Sequence, residues 1–171
     1  MKTQDSYSVF LVDDDKMFLS SLKNALNSEF KKGLEVSTFT SGEDCLKNIN
    51  GKPDIIVLDY LLNDDQHPQA MDGMKVLQEI KKVDYRDILV IMLSGQDKLQ
   101  VAIDSIKNGA YEYVAKSESA FVRIRNIIRN AVEGIKSDRV NKSYLKWNIV
   151  LGATIVVIVL IDILYYYLGH F

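Results

Sequence analysis

Two hydrophobic rhythms alternate along residues 7–134 of the chain. Short apolar runs, Ser8–Val12, Leu34–Phe39, Asp54–Leu58, Ile88–Leu93 and Tyr111–Ala115, read as buried strands. Between them, apolar residues recur at three- and four-residue spacing, which marks one buried face of a helix. Phe18, Leu19, Leu22, Leu26 and Phe30 form one such stripe, and Met74, Leu77 and Ile80 a second. Val101, Ala102 and Ile106 form a third, and Phe121, Ile124, Ile128, Ala131 and Ile135 a fourth. A shorter helix is predicted from Ser41 to about Asn48, opened by a cap box with Asp44 in place of the usual Glu. Five strand–helix repeats with strands apolar on both faces predict a parallel sheet covered by helices on each side. The third connection carries a polar stretch, Asn63–Gln69. At roughly a dozen residues it exceeds the usual few, which points to function or mobility rather than tight packing.

The rhythm then stops. From Ser137 to Lys146 the chain is polar and basic, and Ile149–Leu168 follows with thirteen Ile, Leu and Val and a single charge, Asp162. At 1.5 Å rise per residue such a segment covers about 30 Å, the thickness of a bilayer core. Its aliphatic residues favour insertion by about 4–8 kcal/mol, whereas an acid at the centre of a span costs about 3 kcal/mol and Asp162 is off-centre. Spanning therefore wins. Trp147 and Tyr165–Tyr167 suit the two interfaces. Lys136, Arg139, Lys142 and Lys146 all precede the span, which by the positive-inside rule places the N-terminal part in the cytoplasm. The expectation is a single-pass protein on the cytoplasmic face of the inner membrane.

Composition narrows the class. A chain of 171 residues with 47% hydrophobic and 26% charged residues can build a core and is no disordered tail. The lone Cys45 excludes a disulfide framework and a cysteine zinc site, and its neighbours Leu46 and Ile49 read as a buried thiol. All 21 Lys and Arg lie at or before Lys146, as does every acid except Asp162, so the soluble part is close to neutral. That balance offers no basic footprint for nucleic acid, and none is expected as a partner. The N-terminus is polar and lacks the apolar run of a secretion signal.

In open parallel sheets, reactive groups gather where the strands end. The first strand ends in Asp13, Asp14 and Asp15, the third in Asp59, the fourth in Ser94 and the fifth in Lys116. For any one of these acids a helix cap or a turn is the plainer reading. Their coincidence at one edge is the signal. Clustered carboxylates repel unless a cation neutralises them, and a hard divalent ion such as Mg²⁺ suits oxygen ligands. A lysine and a hydroxyl beside them fit a phosphoryl group, with a central aspartate as nucleophile.

The segments VFLVDDDKMFLSSL, PDIIVLDYLL, MDGMKVLQEIKK, ILVIMLSG and NGAYEYVAKS resemble the receiver domain of two-component response regulators, over about residues 7–134. The resemblance implies a flavodoxin-like, doubly wound five-stranded parallel sheet of order 2-1-3-4-5. It implies Asp59 as phosphoacceptor and Asp13 and Asp14 as the acid pocket. It implies Mg²⁺ held by Asp14, Asp59 and the Leu61 carbonyl, with Asp13 acting through water. Ser94 becomes the switch hydroxyl, Lys116 the phosphate-binding ammonium, and Tyr113 the aromatic that reports the state. The implied partner is a histidine kinase or a phosphotransfer protein. No enzymatic output beyond self-phosphotransfer and autodephosphorylation is implied.

The chain departs from that pattern at three places. Ser117 follows Lys116 where most receivers have proline. About six extra residues separate Asp59 from Gly73, Asp64, Asp65 and His67 among them; a solvated loop is the plain reading and a gate over the site the sharper one. Leu61 and Gln96 occupy the positions that tune phosphoryl lifetime, and an apolar Leu61 cannot orient an attacking water. The expected organisation is a receiver over residues 1–134, a basic linker over 135–147, a transmembrane helix over 148–168 and a short tail over 169–171. Output would pass through an unknown protein, with a homodimer among the partners this reading allows. Two alternatives remain: a pseudo-receiver that binds protein without phosphorylation, and a haloacid-dehalogenase-type phosphatase. The latter class wants a second acid where Leu61 stands.

Overall fold

The computed structural model describes residues 6–31, 33–62, 70–82, 87–95 and 99–168. The Asn63–Gln69 stretch with Asp64, Asp65 and His67, Gln96, and the side chain of Asp162 lie outside the described residues. In chain order the elements are β1 (Tyr7–Val12), α1 (Lys16–Phe30), β2 (Leu34–Phe39), α2 (Gly42–Lys47), a 3₁₀ turn (Ile49–Gly51), β3 (Ile55–Asp59), α3 (Gly73–Ile80), β4 (Leu89–Ser94), α4 (Leu99–Lys107), β5 (Glu112–Ala115) and α5 (Ala120–Leu168). The strands form one sheet of order β2-β1-β3-β4-β5, and every neighbouring pair is parallel.

The central strands are buried on both faces, as continuous apolar runs require. The edge strands differ from the expectation. In β2 only Leu34 is fully buried, and in β5 only Val114, because an edge strand has a neighbour on one side alone. On one side of the sheet, Phe10, Val12, Ile56, Leu58, Val90 and Met92 pack with Val76, Leu77 and Ile80 of α3. Cys45 belongs to this cluster and is fully buried, which pushes its thiol up to about 12.

Caps fix where the helices begin. Asp15 caps α1 by accepting from Met17 and Phe18 N–H at 2.8 and 3.0 Å. Ser41 accepts from Asp44 N–H at 3.2 Å, whereas the Asp44 carboxylate pairs with Lys47 at 2.9 Å. Asp72 caps α3 through Lys75 N–H at 2.7 Å. The α4 stripe corrects the sequence expectation: its fully buried residue is Ser105, and Ile106 is 48% exposed. The Ser105 hydroxyl donates to the Val101 carbonyl at 2.7 Å, so a polar residue enters the interior without losing a hydrogen bond. Gly109, at φ +92°, ends that helix in the left-handed conformation that glycine tolerates best.

The chain divides into two compact units, Met1–Asn130 and Ala131–Phe171. In the first, Ala120, Ile124 and Ile128 of α5 are buried. The second is helical over its described residues and carries exposed Ile149, Leu151, Ile155, Val157, Leu160 and Leu164. Among the described residues one helix is long and apolar enough to cross a membrane, with mean hydropathy 2.1 in its most apolar stretch.

Candidate functional site

Parallel register brings the carboxyl ends of the strands together. Asp59 ends β3 opposite Leu93 of β4, and Ser94 ends β4 opposite Ala115 of β5, so Lys116 follows at the same edge. The Lys116 N–H donates to the Ser94 carbonyl at 2.8 Å, and the Tyr60 N–H to the Leu93 carbonyl at 2.8 Å. Asp13 and Asp59 are buried. Asp14 is exposed beside them. One carboxylate oxygen from each of the three lies within 4.8 Å of the other two. Asp15 is not part of this group, since its carboxylate is committed to the α1 cap.

Lys116 holds the cluster together. Its Nζ lies 2.7 Å from Asp13 Oδ2 and 2.9 Å from Asp59 Oδ2. Asp13 Oδ1 accepts the Asp15 N–H at 3.0 Å, which fixes the turn after β1. Burial raises the Asp13 carboxyl above its ordinary value, against the pull of Lys116. Burial likewise drives Asp59 up to about 6; Lys116 opposes this, and the charge of Asp13 adds to it. For Lys116, burial acts to lower the pKa, and its interactions with Asp13 and Asp59 outweigh that and raise it. The site is thus two buried acids sharing one ammonium, with a third acid at the mouth.

This charge balance invites a second cation. Asp59 Oδ1 is buried with no hydrogen-bond partner among the described residues, which is costly for a carboxylate oxygen. An all-oxygen donor set with one exposed carboxylate fits a hard divalent ion that keeps some of its waters.

Ser94 is fully buried at the end of β4. Leu61 is 41% exposed, while Leu62 beside it is buried. Tyr113 is half-buried in β5, packs against the apolar core and lines a shallow depression with Ala102, Ile103 and Ile106. Among the described residues no peptide bond is cis, that between Lys116 and Ser117 included.

Two residues at the site are invisible to a search for reactive groups. Gly73 begins α3 with its Cα against the backbone of Asp59, and its N–H donates to the Tyr60 carbonyl at 2.9 Å. A Cβ there would meet the Asp59 carbonyl oxygen at 2.0 Å. The Asp72-Gly73 pair just before an apolar stripe is the only signal for it. Phe18 is the other. It reads as part of the α1 stripe, yet Lys116 Nζ stands 4.9 Å from the centre of its ring.

The response regulator receiver domain family matches residues 9–129. The chain belongs to that family. Receiver domains are signalling domains that accept phosphoryl groups from histidine kinases or phosphotransfer proteins. The receiver is 28% identical to the transcriptional regulatory protein CssR of Bacillus subtilis over 127 residues, 72% of this chain and 52% of the relative. It is 33% identical to a putative NtrX-like response regulator of Rickettsia typhi over 110 residues, 63% of this chain and 21% of that one. The chain thus spans about half the length of the first and about a fifth of the second. Among solved structures, NtrX from Brucella abortus matches with TM-score 0.65 and 28% identity, over 78% of this chain and 29% of the other. A CheY-like receiver from Methanospirillum hungatei JF-1 matches with TM-score 0.63 and 25% identity, over 77% and 98%. Several relatives are transcriptional or DNA-binding regulators by name, so the comparisons do not support the expectation that nucleic acid plays no part.

Proposed function

We propose that this receiver is membrane-anchored, takes a phosphoryl group onto Asp59 from a histidine kinase or phosphotransfer protein, and signals by contact with another protein. The observation that carries the reading is the Lys116 bridge between buried Asp13 and Asp59, with Asp14 alongside. In the transfer, an Asp59 carboxylate oxygen forms a bond to phosphorus as the P–N bond to the donor histidine breaks. The histidine leaves with that electron pair and takes up a proton. Lys116 and the Ser94 hydroxyl then donate to the phosphoryl oxygens. Asp14, Asp59 and the Leu61 carbonyl, with Asp13 through water, would hold Mg²⁺. When bound, the ion neutralises negative charge shared by the carboxylates and the phosphoryl group. Tyr113 would report the change to a partner, a reading supported by its position in the depression on α4 and β5.

The test is labelling. With Mg²⁺ and a small acyl-phosphate donor, the full chain acquires an acid-stable, base-labile phosphoryl group, and EDTA blocks it. No label under these conditions, nor from any histidine-kinase donor, would return the protein to the pseudo-receiver reading.

Lifetime is a second expectation. Leu61 offers no hydrogen bond to an attacking water, so the acyl phosphate persists. Leu61→Asn supplies an amide there and shortens the half-life by about tenfold, less than the roughly 10²- to 10⁴-fold of a general base because an amide only orients the water. An unchanged or longer half-life would remove Leu61 from control of hydrolysis.

Anchoring is a third. The exposed apolar part of α5 supports a single span, and the basic residues before it support a cytoplasmic receiver. The full chain is expected to sediment with membranes and resist carbonate extraction, and protease outside intact cells to leave the receiver uncut. Release by carbonate, or digestion from outside, would overturn the anchoring or the topology respectively.

A further inference from the structure

Lysine is a poor group to hold in place by charge alone at this site. Its four-carbon stem is flexible, and its ammonium is a point charge without preferred direction. Lys116 is held by Asp13 and Asp59, the same carboxylates that a divalent cation would claim. A cation arriving there weakens both ion pairs and repels the ammonium directly. Something other than the two acids has to keep Nζ at the site.

The Phe18 ring meets that need. Lys116 Nζ lies 4.9 Å from its centroid, within the roughly 6 Å reach of a cation–π contact. The ring is uncharged, so a metal ion does not compete for it. It is also held firmly. The Phe18 N–H is tied to the Asp15 cap at 3.0 Å, and its ring meets Phe121 of α5 at 5.2 Å and 76°, an edge-to-face pair. The Phe18 side chain carries no polar group, and the phosphoryl chemistry above makes no use of it.

We propose that Phe18, buttressed by Phe121, is a positioning residue that keeps the Lys116 ammonium beside Asp59 when the carboxylates are otherwise engaged. Its consequence for phosphoryl transfer rests on the phosphoacceptor reading; the placement of the lysine does not. Phe18→Leu keeps an apolar side chain on α1 and removes the aromatic face, whereas Phe18→Tyr keeps the face.

Two measurements on the full chain in detergent micelles separate the possibilities. The first is the NMR shift of the Lys116 ε-methylene without metal. It is expected upfield in the wild type, where the adjoining Nζ stands over the ring, with the shift retained in Phe18→Tyr and lost in Phe18→Leu. The second is the rate of Asp59 labelling at saturating acyl-phosphate donor with Mg²⁺. Phe18→Leu is expected to lower that rate about 2- to 30-fold, the range of one cation–π contact, with KM for the donor little changed, and Phe18→Tyr to restore it. Phe121→Leu, which leaves the ring but removes its support, gives a smaller loss of the same kind and replaces Phe18→Leu should that variant fail to fold. A wild-type rate in Phe18→Leu, or equal losses in Phe18→Leu and Phe18→Tyr, would overturn the proposal. If the wild type takes no label, the phosphoacceptor reading falls and the Lys116 resonance alone decides, with equal shifts in wild type and Phe18→Leu counting against it.

Discussion

Asp59→Asn is expected to lose phosphoryl acceptance altogether and, in EDTA at neutral pH, to be more stable than the wild type. The first effect follows from chemistry: an amide oxygen is too weak a nucleophile to displace a phosphoryl leaving group, and Ser94, though near, has no base assigned to it. The second follows from burial. Asp59 is held at about 6 against an ordinary value of 3.8, so the folded chain binds its proton more tightly than the unfolded chain does. That contribution is fully present below about pH 4 and is lost as pH rises through 6. Roughly two pKa units correspond to at most about 3 kcal/mol of strain on ionisation. Asn remains a buried polar group, so the expected gain at pH 7 is about 1–3 kcal/mol. Lys116 keeps Asp13 as a partner in the variant. Denaturation with and without Mg²⁺ checks this: the ion stabilises the wild type and has little effect on Asp59→Asn, and the difference between the two proteins shrinks toward pH 4. A variant that labels, or one less stable than the wild type at pH 7 in EDTA, contradicts the account.

Gly73→Ala is expected to damage both stability and phosphorylation. In an ordinary helix the change is favourable by about 1 kcal/mol. Here the new Cβ meets the Asp59 carbonyl oxygen at 2.0 Å, the Asp59 carbonyl carbon at 2.9 Å and Tyr60 Cα at 2.8 Å. All three are backbone atoms, and no rotamer change relieves them. Overpacking against side chains costs about 1–3 kcal/mol, and a clash with backbone at the end of a central strand belongs at or above the top of that range. The net loss is about 2 kcal/mol or more. Relief by moving the strand end displaces Asp59, the proposed phosphoacceptor, so labelling is expected to fall at least about tenfold even where the fold survives. Thermal midpoint and labelling rate, measured together, check it; a variant as stable and as active as the wild type would show that α3 can shift away freely.

The sheet was legible because its central strands are buried on both sides, which leaves no choice but unbroken apolar runs such as Ile55–Leu58. The acid cluster was legible for a related reason: in a parallel sheet the strand ends converge, so Asp13, Asp59, Ser94 and Lys116 share an edge once the strands are assigned. Periodicity failed at α4, where Val101, Ala102 and Ile106 suggested an inward face and the fold buries Ser105 instead. A hydroxyl that bonds back to its own helix behaves as a small apolar group, and spacing rules do not register that. Gly73 and Phe18 escaped for a deeper reason. One matters for an atom it lacks, the other for a neighbour almost a hundred residues away in sequence, and neither property has a local pattern.

The buried thiol has a practical consequence. Cys45 is the chain's single cysteine, fully enclosed, and with its pKa driven up to about 12 it carries almost no thiolate at neutral pH. Alkylating reagents and mild oxidants therefore pass it by. One cysteine introduced on an exposed face, at Val122 of α5 or at Leu99 of α4, becomes the sole reactive sulfur without any change to the native core. Spin or fluorescent labels placed there can follow α4 and α5 during phosphoryl transfer in the otherwise unaltered protein.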